Sequence, residues 1–157
     1  MRHGLSVMNK QGIFSGRNDT PLTKEGIFQC HQAAKDLKSI QINAIVTSPM
    51  KRALDSAKII AEDIGYPIEN IIISDLFVER SFGPLEGTTY TKNMDLDTTS
   101  GVEHSTSIIK RAQAGLDLII LNISYIINTK KLNKFNYLGI IKAFGFMIIK
   151  AWINSMS

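Results

Sequence analysis

Residues 43–67, NAIVTSPMKRALDSAKIIAEDIGYP, contain one strand signal and one helix signal back to back. Residues 43–48 are a short apolar run bounded by polar residues, the pattern of a strand covered on both faces. Ser48 is the expected N-cap of the following helix, with Pro49 at the first position, where a missing N–H costs nothing. Ala53, Ala57, Ile60 and Ile64 then recur at helical spacing and give an inner face, and Gly65 with Pro67 ends it. The same alternation extends outward. Upstream, Thr23 precedes a helix predicted over 24–38, with Ile27, Cys30, Ala34 and Leu37 on one face and Gly26 tolerated near its start. Downstream, residues 70–74 (NIIIS) read as a second strand, and residues 82–101, rich in Gly, Thr, Asp and Ser, as a long loop. A third helix is expected from about Glu103 to about Ile120, with Ile108, Ala112, Leu116 and Ile119 inward, followed by a polar hairpin-like stretch over 128–134. Strands alternating with helices predict an α/β fold, a mostly parallel sheet with helices on both faces, in one domain over 1–157.

Composition narrows the function classes. With 157 residues, 44% of them hydrophobic and 20% charged, the chain has material for one core. Its net charge of +4 is scattered, with no basic run of the kind that tracks nucleic acid, and suits a small anionic ligand equally well. The single cysteine, Cys30, cannot form an internal disulfide, which fits a reducing cytoplasm. Arg2 and His3 lead into polar residues, so no secretory leader is expected. The apolar runs 116–127 and 137–149 are 12 and 13 residues long. Both fall short of the roughly 20 residues that span a bilayer. They are read as buried core, so no membrane partner is expected, and the apolar C-terminal third suits a homo-oligomer.

In open parallel sheets, ligands sit beyond the carboxyl ends of the strands. Arg52 falls in the first turn after a strand, beside N–H groups that favour an anion. Glu79 and Arg80 follow the second strand region. With Arg2, His3 and Asn9 they make a set of guanidinium forks, an imidazole, an amide and a carboxylate. Such forks match phosphate oxygens, a neutral imidazole attacks phosphorus, and a carboxylate protonates the leaving oxygen. Phosphoryl transfer with no metal and no cofactor is the reaction this set supports. Taken singly, Arg52 also reads as a solvated helix residue, and Glu79 with Arg80 as an exposed ion pair of little worth.

Four stretches taken together carry a resemblance: RHGLSVMN (2–9), FSGRNDTPLTKEG (14–26), SPMKRALDSAKII (48–60) and ERSFGPLEG (79–87). In order and spacing they resemble the motifs of the histidine phosphatase superfamily, which includes phosphoglycerate mutases and many small phosphatases. The likeness runs to about residue 115 and implies a three-layer α/β/α sandwich of the phosphoglycerate mutase type. It implies that His3 is the nucleophile and carries a phosphohistidine, that Arg2, Asn9 and Arg52 bind the phosphoryl oxygens, and that Glu79 is the proton donor. Ser6, Ser15, Gly16 and Arg80 would line the substrate side. The implied substrate is a small phosphorylated metabolite.

Three positions depart from that pattern. Only Met1 precedes the RHG, where the family has a core strand, and Leu5 stands where a glutamate is usual. Late in the chain the family places a second histidine, and laying its motif on GIIKAFGFMIIKAW puts Phe144 there. A phenyl ring donates no hydrogen bond to a phosphoryl oxygen, and losing one such donor costs about a hundredfold to a thousandfold in rate. Low or lost activity is therefore expected; the activity itself is that of a phosphomonoesterase, with a phosphoglycerate mutase-type isomerase or a catalytically impaired phosphate-binding descendant as alternatives. Mutases carry a long basic insertion after the glutamate motif. Here 20 residues separate Phe82 from Glu103, with Lys92 the sole basic residue among them. His104 stands at a loop where it could replace the missing imidazole or be an ordinary surface histidine, and His31 reads as an exposed helix residue.

Overall fold

The structure, a computed structural model, describes residues 1–91 and 94–129. In chain order the helices are α1 (Val7–Lys10), α2 (Lys24–Leu37), α3 (Lys51–Ile64) and α4 (Ser105–Thr129), and the strands are β1 (Val46–Thr47) and β2 (Ile72–Ile73). Single 3₁₀ turns occupy Ile68–Asn70, Asp75–Phe77 and Gly83–Leu85. The chain divides into two units, one of Arg2–Ile108 and another to which the described residues 109–129 belong. Every residue discussed below in connection with the site belongs to the first.

β1 and β2 pair in parallel, Val46 with Ile72 and Thr47 with Ile73, and α3 lies between them in sequence. This is the βαβ unit that residues 43–74 predict, with shorter strands. Ile72 and Ile73 are 47% and 54% exposed, so both faces of β2 are open, where a sheet with helices on both faces was expected. α3 also begins later than expected. Ser48 is not its cap: its Oγ accepts the Met50 N–H, and Met50 itself caps the helix without a side-chain bond. Gly65 ends α3 in the left-handed region at φ 72°, as its position foretold. α2 begins at Thr23, whose hydroxyl accepts the Gly26 N–H. Cys30 and Ala34 of α2 meet Ile60 of α3 in the core, with Leu22, Leu37, Ile59 and Ile64 around them. Ile27, expected inward, is 40% exposed.

Gly26 does more than fit within a helix. A Cβ there would lie 2.2 Å from the Leu5 carbonyl oxygen, and one on Gly4 would lie 2.3 Å from the Gly26 oxygen. The backbone around residues 4 and 5 thus runs directly on the backbone of α2, and only two bare Cα atoms permit it. Alanine usually improves a helix over glycine by about 1 kcal/mol. Gly26→Ala is instead expected to destabilise the fold by about 1–3 kcal/mol, because the obstacle is backbone that cannot rotate away. Chemical denaturation checks it, and a midpoint equal to or above the wild type refutes the contact.

Two further segments differ from expectation. The loop over 82–101 is paired at its start: Phe14 N–H bonds the Thr88 carbonyl at 2.9 Å, Gly87 N–H bonds the Phe14 carbonyl at 2.8 Å, and Tyr90 N–H bonds the Gly12 carbonyl at 2.7 Å. Phe14 is buried there against the rings of Phe82 and Tyr90. The pairing escaped the sequence because 12–14 and 87–90 are too short to show a period of two. α4 runs to Thr129, past the predicted end, so residues 128 and 129 are helical where a hairpin was expected. Among the described residues no helix is long and apolar enough to cross a membrane.

Candidate active site

The site is assembled around α3. Arg52, in its first turn, is 1% exposed, so the reading of a solvated helix residue is corrected. Its guanidinium is held in three directions. Nη2 donates to the Gly16 carbonyl at 2.8 Å, Nη1 to the Asn18 carbonyl at 3.1 Å, and Nε points at His3 Nε2, 3.2 Å away. One turn further along α3, Ser56 Oγ accepts the Gly4 N–H at 3.0 Å and donates to the Arg52 carbonyl at 2.7 Å. Residues 2–5 form no strand, and this hydroxyl together with the Gly4–Gly26 contact anchors the backbone beside His3.

The imidazole has a defined proton arrangement. His3 Nδ1 lies 2.7 Å from the Gly4 carbonyl, which can only accept, so Nδ1 carries the hydrogen. Nε2 faces the Nε–H of Arg52 and therefore presents its lone pair. Burial lowers the His3 pKa to about 4; the Gly4 hydrogen bond opposes the shift, and the charges of Arg52 and Arg2 add to it. The ring is thus neutral at pH 7. Arg52 is also shifted downward, first by burial, while Glu79, Asp19 and Glu86 favour its charge and Arg2 opposes it.

A pH dependence follows. An unfolded histidine titrates near 6.5, whereas folded His3 titrates near 4. Between those values the unfolded chain holds the extra proton, so the His3 contribution to stability declines as pH falls through the window and levels off below about 4. Denaturation midpoints taken from about pH 7 to about pH 4.5 are expected to drop more for the wild type than for His3→Gln. Parallel curves would refute the neutral buried ring.

The other predicted residues divide into groups. Glu79 is among the charges acting on Arg52, and its Oε1 accepts the Arg80 N–H at 2.8 Å. Arg2 is exposed and is close enough to influence both His3 and Arg52. Ser6, fully buried, caps α1: its Oγ accepts the Asn9 N–H and donates to Asn9 Oδ1 at 2.8 Å, which fixes the amide on the turn just after His3. Ser15 is buried, its carbonyl accepts the Asn18 N–H, and Gly16 supplies a carbonyl to Arg52.

Arg80 is placed differently. Only 4% exposed, it donates from Nε to the Glu103 carbonyl at 2.8 Å and from Nη2 to Asp97. The exposed Glu79–Arg80 ion pair is therefore corrected: the guanidinium fastens the segment that carries Asp97 and Glu103. The Asp97 carboxyl sits below its usual range, chiefly through the Ser105 backbone N–H. His104 Nδ1 accepts the Thr106 N–H at 3.2 Å at the start of α4, and half of its side chain is exposed. His31 is paired on the surface with Asp63 at 2.6 Å. Phe144, Lys92 and the run 137–149 lie outside the described residues.

Sequence reasoning missed Ser56, Asn18, Asp19 and Glu86. The i, i+4 relation of Arg52 and Ser56 was a usable signal for the first. Asp19 Oδ1 accepts the Lys51 N–H at 2.9 Å, fixing the loop to the start of α3, a contact across 32 residues with no local signature.

Comparison with known proteins gives the same direction. The family description matching residues 1–120 is that of the histidine phosphatase superfamily, branch 1. An uncharacterized phosphatase, PhoE, of Bacillus subtilis is 38% identical over 87 residues, covering 55% of this chain and 44% of its own. A 2,3-bisphosphoglycerate-dependent phosphoglycerate mutase of Thermoplasma acidophilum is 36% identical over 88 residues, covering 55% of this chain and 42% of its own. Among solved structures, YhfR of Bacillus stearothermophilus superposes with a TM-score of 0.68 at 26% identity, over 77% of this chain and 65% of that one. The chain spans less than half the length of those two curated relatives.

Proposed function

Because the chain belongs to the histidine phosphatase superfamily, we propose that it transfers a phosphoryl group from a small phosphorylated metabolite to water through a phosphohistidine at His3. The observation that carries this reading is the pair of His3 Nε2 and Arg52 Nε at 3.2 Å, with the imidazole proton on the opposite nitrogen. A bound phosphoryl group takes the place of that N–H contact. Nε2 forms a bond to phosphorus as the ester P–O bond breaks, and Glu79 gives its proton to the departing oxygen. Water then attacks the phosphohistidine, the Glu79 carboxylate takes its proton, and the N–P bond breaks to release phosphate and the neutral ring. Arg52, Arg2 and Asn9 hold the equatorial oxygens, where charge accumulates. Ser6, Ser15 and Gly16 are buried behind these groups and support them, Ser6 by holding Asn9 and Gly16 by holding Arg52.

Hydrolysis is preferred over mutase chemistry because residues 83–102 offer one basic side chain, Lys92, to hold a second phosphate. The lone thiol of Cys30, buried in the core, suits a reducing cytoplasm. For the complete fold we propose the three-layer α/β/α sandwich, of which the parallel β1–β2 pair and its helices are one part.

Intact-mass measurement after incubation with acetyl phosphate tests the reading. One added phosphoryl group, labile to acid and mapped to His3, is the expected result. No adduct, or an adduct on another residue, overturns it.

A further inference from the structure

Glu86, the last acid of the stretch 79–87, has no role in the chemistry above. We propose that Glu86 is a positioning residue: its carboxylate grips the turn at Gly16 and Arg17 so that the carbonyls of that turn hold Arg52 against His3. The inference rests on the reading of His3 and Arg52 as the reacting pair.

One oxygen carries the grip. Glu86 Oε1 accepts the Arg17 N–H at 3.1 Å and the Phe82 N–H at 3.0 Å, joining two segments far apart in sequence. Gly16 is shaped for it. Its φ of 47° lies in the left-handed region, and a Cβ there would sit 2.2 Å from the same Oε1. A side chain at residue 16 would therefore expel the carboxylate. The path then runs in three short steps. Glu86 fixes the turn, the Gly16 and Asn18 carbonyls take Nη2 and Nη1 of Arg52, and Nε is left aimed at Nε2 of His3. From the other side of the turn, the Arg17 guanidinium meets Glu103 Oε2 at 3.3 Å, so the side chain of Arg17 is restrained as well as its amide.

Geometry and charge can be separated, because only the loss of geometry raises the imidazole midpoint. The charged groups acting on His3 are Arg52 and Arg2, and those acting on Arg52 are Glu79, Asp19, Arg2 and Glu86. Glu86 is not among the charges that act on His3, so deleting its charge alone gives the imidazole no reason to titrate higher. Releasing the turn lets Arg52 withdraw and water enter, which raises the His3 midpoint.

The test is an NMR titration of the full chain as wild type, Glu86→Gln, Glu86→Ala and Gly16→Ala. The His3 signal is assigned among the three histidines by its absence in His3→Gln. Glu86→Ala and Gly16→Ala are expected to raise the His3 midpoint by about one pH unit or more. Glu86→Gln, whose amide oxygen still accepts both N–H groups, is expected to stay at or below the wild type. An unmoved midpoint in either alanine variant that folds, or a rise in Glu86→Gln equal to theirs, overturns the proposal. The titration needs neither turnover nor a ligand. A wild type that never becomes phosphorylated would thus refute the catalytic reading alone, while the His3 midpoints still decide the role of Glu86.

Discussion

His3→Ala is expected to lower phosphomonoester turnover roughly a thousandfold or more, because in the proposed reaction it removes the atom that bonds to phosphorus. The rest of the site is expected to survive the change. Arg52 keeps its bonds to the Gly16 and Asn18 carbonyls and can still receive an anion. Turnover and phosphate affinity should therefore part company: steady-state assay with a chromogenic phosphate ester shows the loss, and calorimetric titration with inorganic phosphate shows binding within a few-fold of the wild type. Retained turnover would assign the nucleophile elsewhere.

Arg52→Ala has the second large effect, and it strikes both stability and binding. The side chain is buried and has hydrogen-bond partners on three sides, so its removal leaves two loop carbonyls unpaired over a void. A cost of about 2–4 kcal/mol in unfolding free energy is expected, read by chemical denaturation. Phosphate affinity is expected to fall about a hundredfold, since the proposed charge-assisted bonds to the transferred group would be lost. Arg52→Lys should not rescue it, because an ammonium on a flexible stem cannot reach two carbonyls and an imidazole at once. Arg80→Ala should weaken phosphate binding less, as that guanidinium is committed to Asp97 and Glu103. Equal losses for Arg52→Ala and Arg80→Ala would refute the distinction.

The parts of this protein that could be read from sequence are those with local causes. Cys30, Ala34 and Ile60 lie on helical stripes, and all three are in the core. Thr23 and Gly65 announce a helix start and a helix end by their chemistry. The cap of α3 was misplaced because Ser48 and Pro49 satisfy the usual rule, yet Ser48 closes a tighter turn on Met50. Of the site, the ordered motifs gave residues but not their surroundings. That Arg52 is buried depends on the carbonyls of residues 16 and 18, which reach it across more than 30 positions of chain. Arg80 was read with Glu79 because they are neighbours, whereas its partners come from an irregular loop with no period to betray it. The exposure of Ile72 and Ile73 also lies beyond composition: an apolar run says that cover is wanted, not that the described chain provides it.

Ser56 and Arg52 are one turn apart on a single rod, one tethering the backbone after His3 and the other facing its ring. A helix is stiff over four residues, so when α3 shifts or tilts as a body, imidazole and guanidinium travel in concert. Their separation is thereby insulated from any displacement of the short strands β1 and β2. A sheet of two-residue strands and a well-registered imidazole–guanidinium pair coexist in one fold.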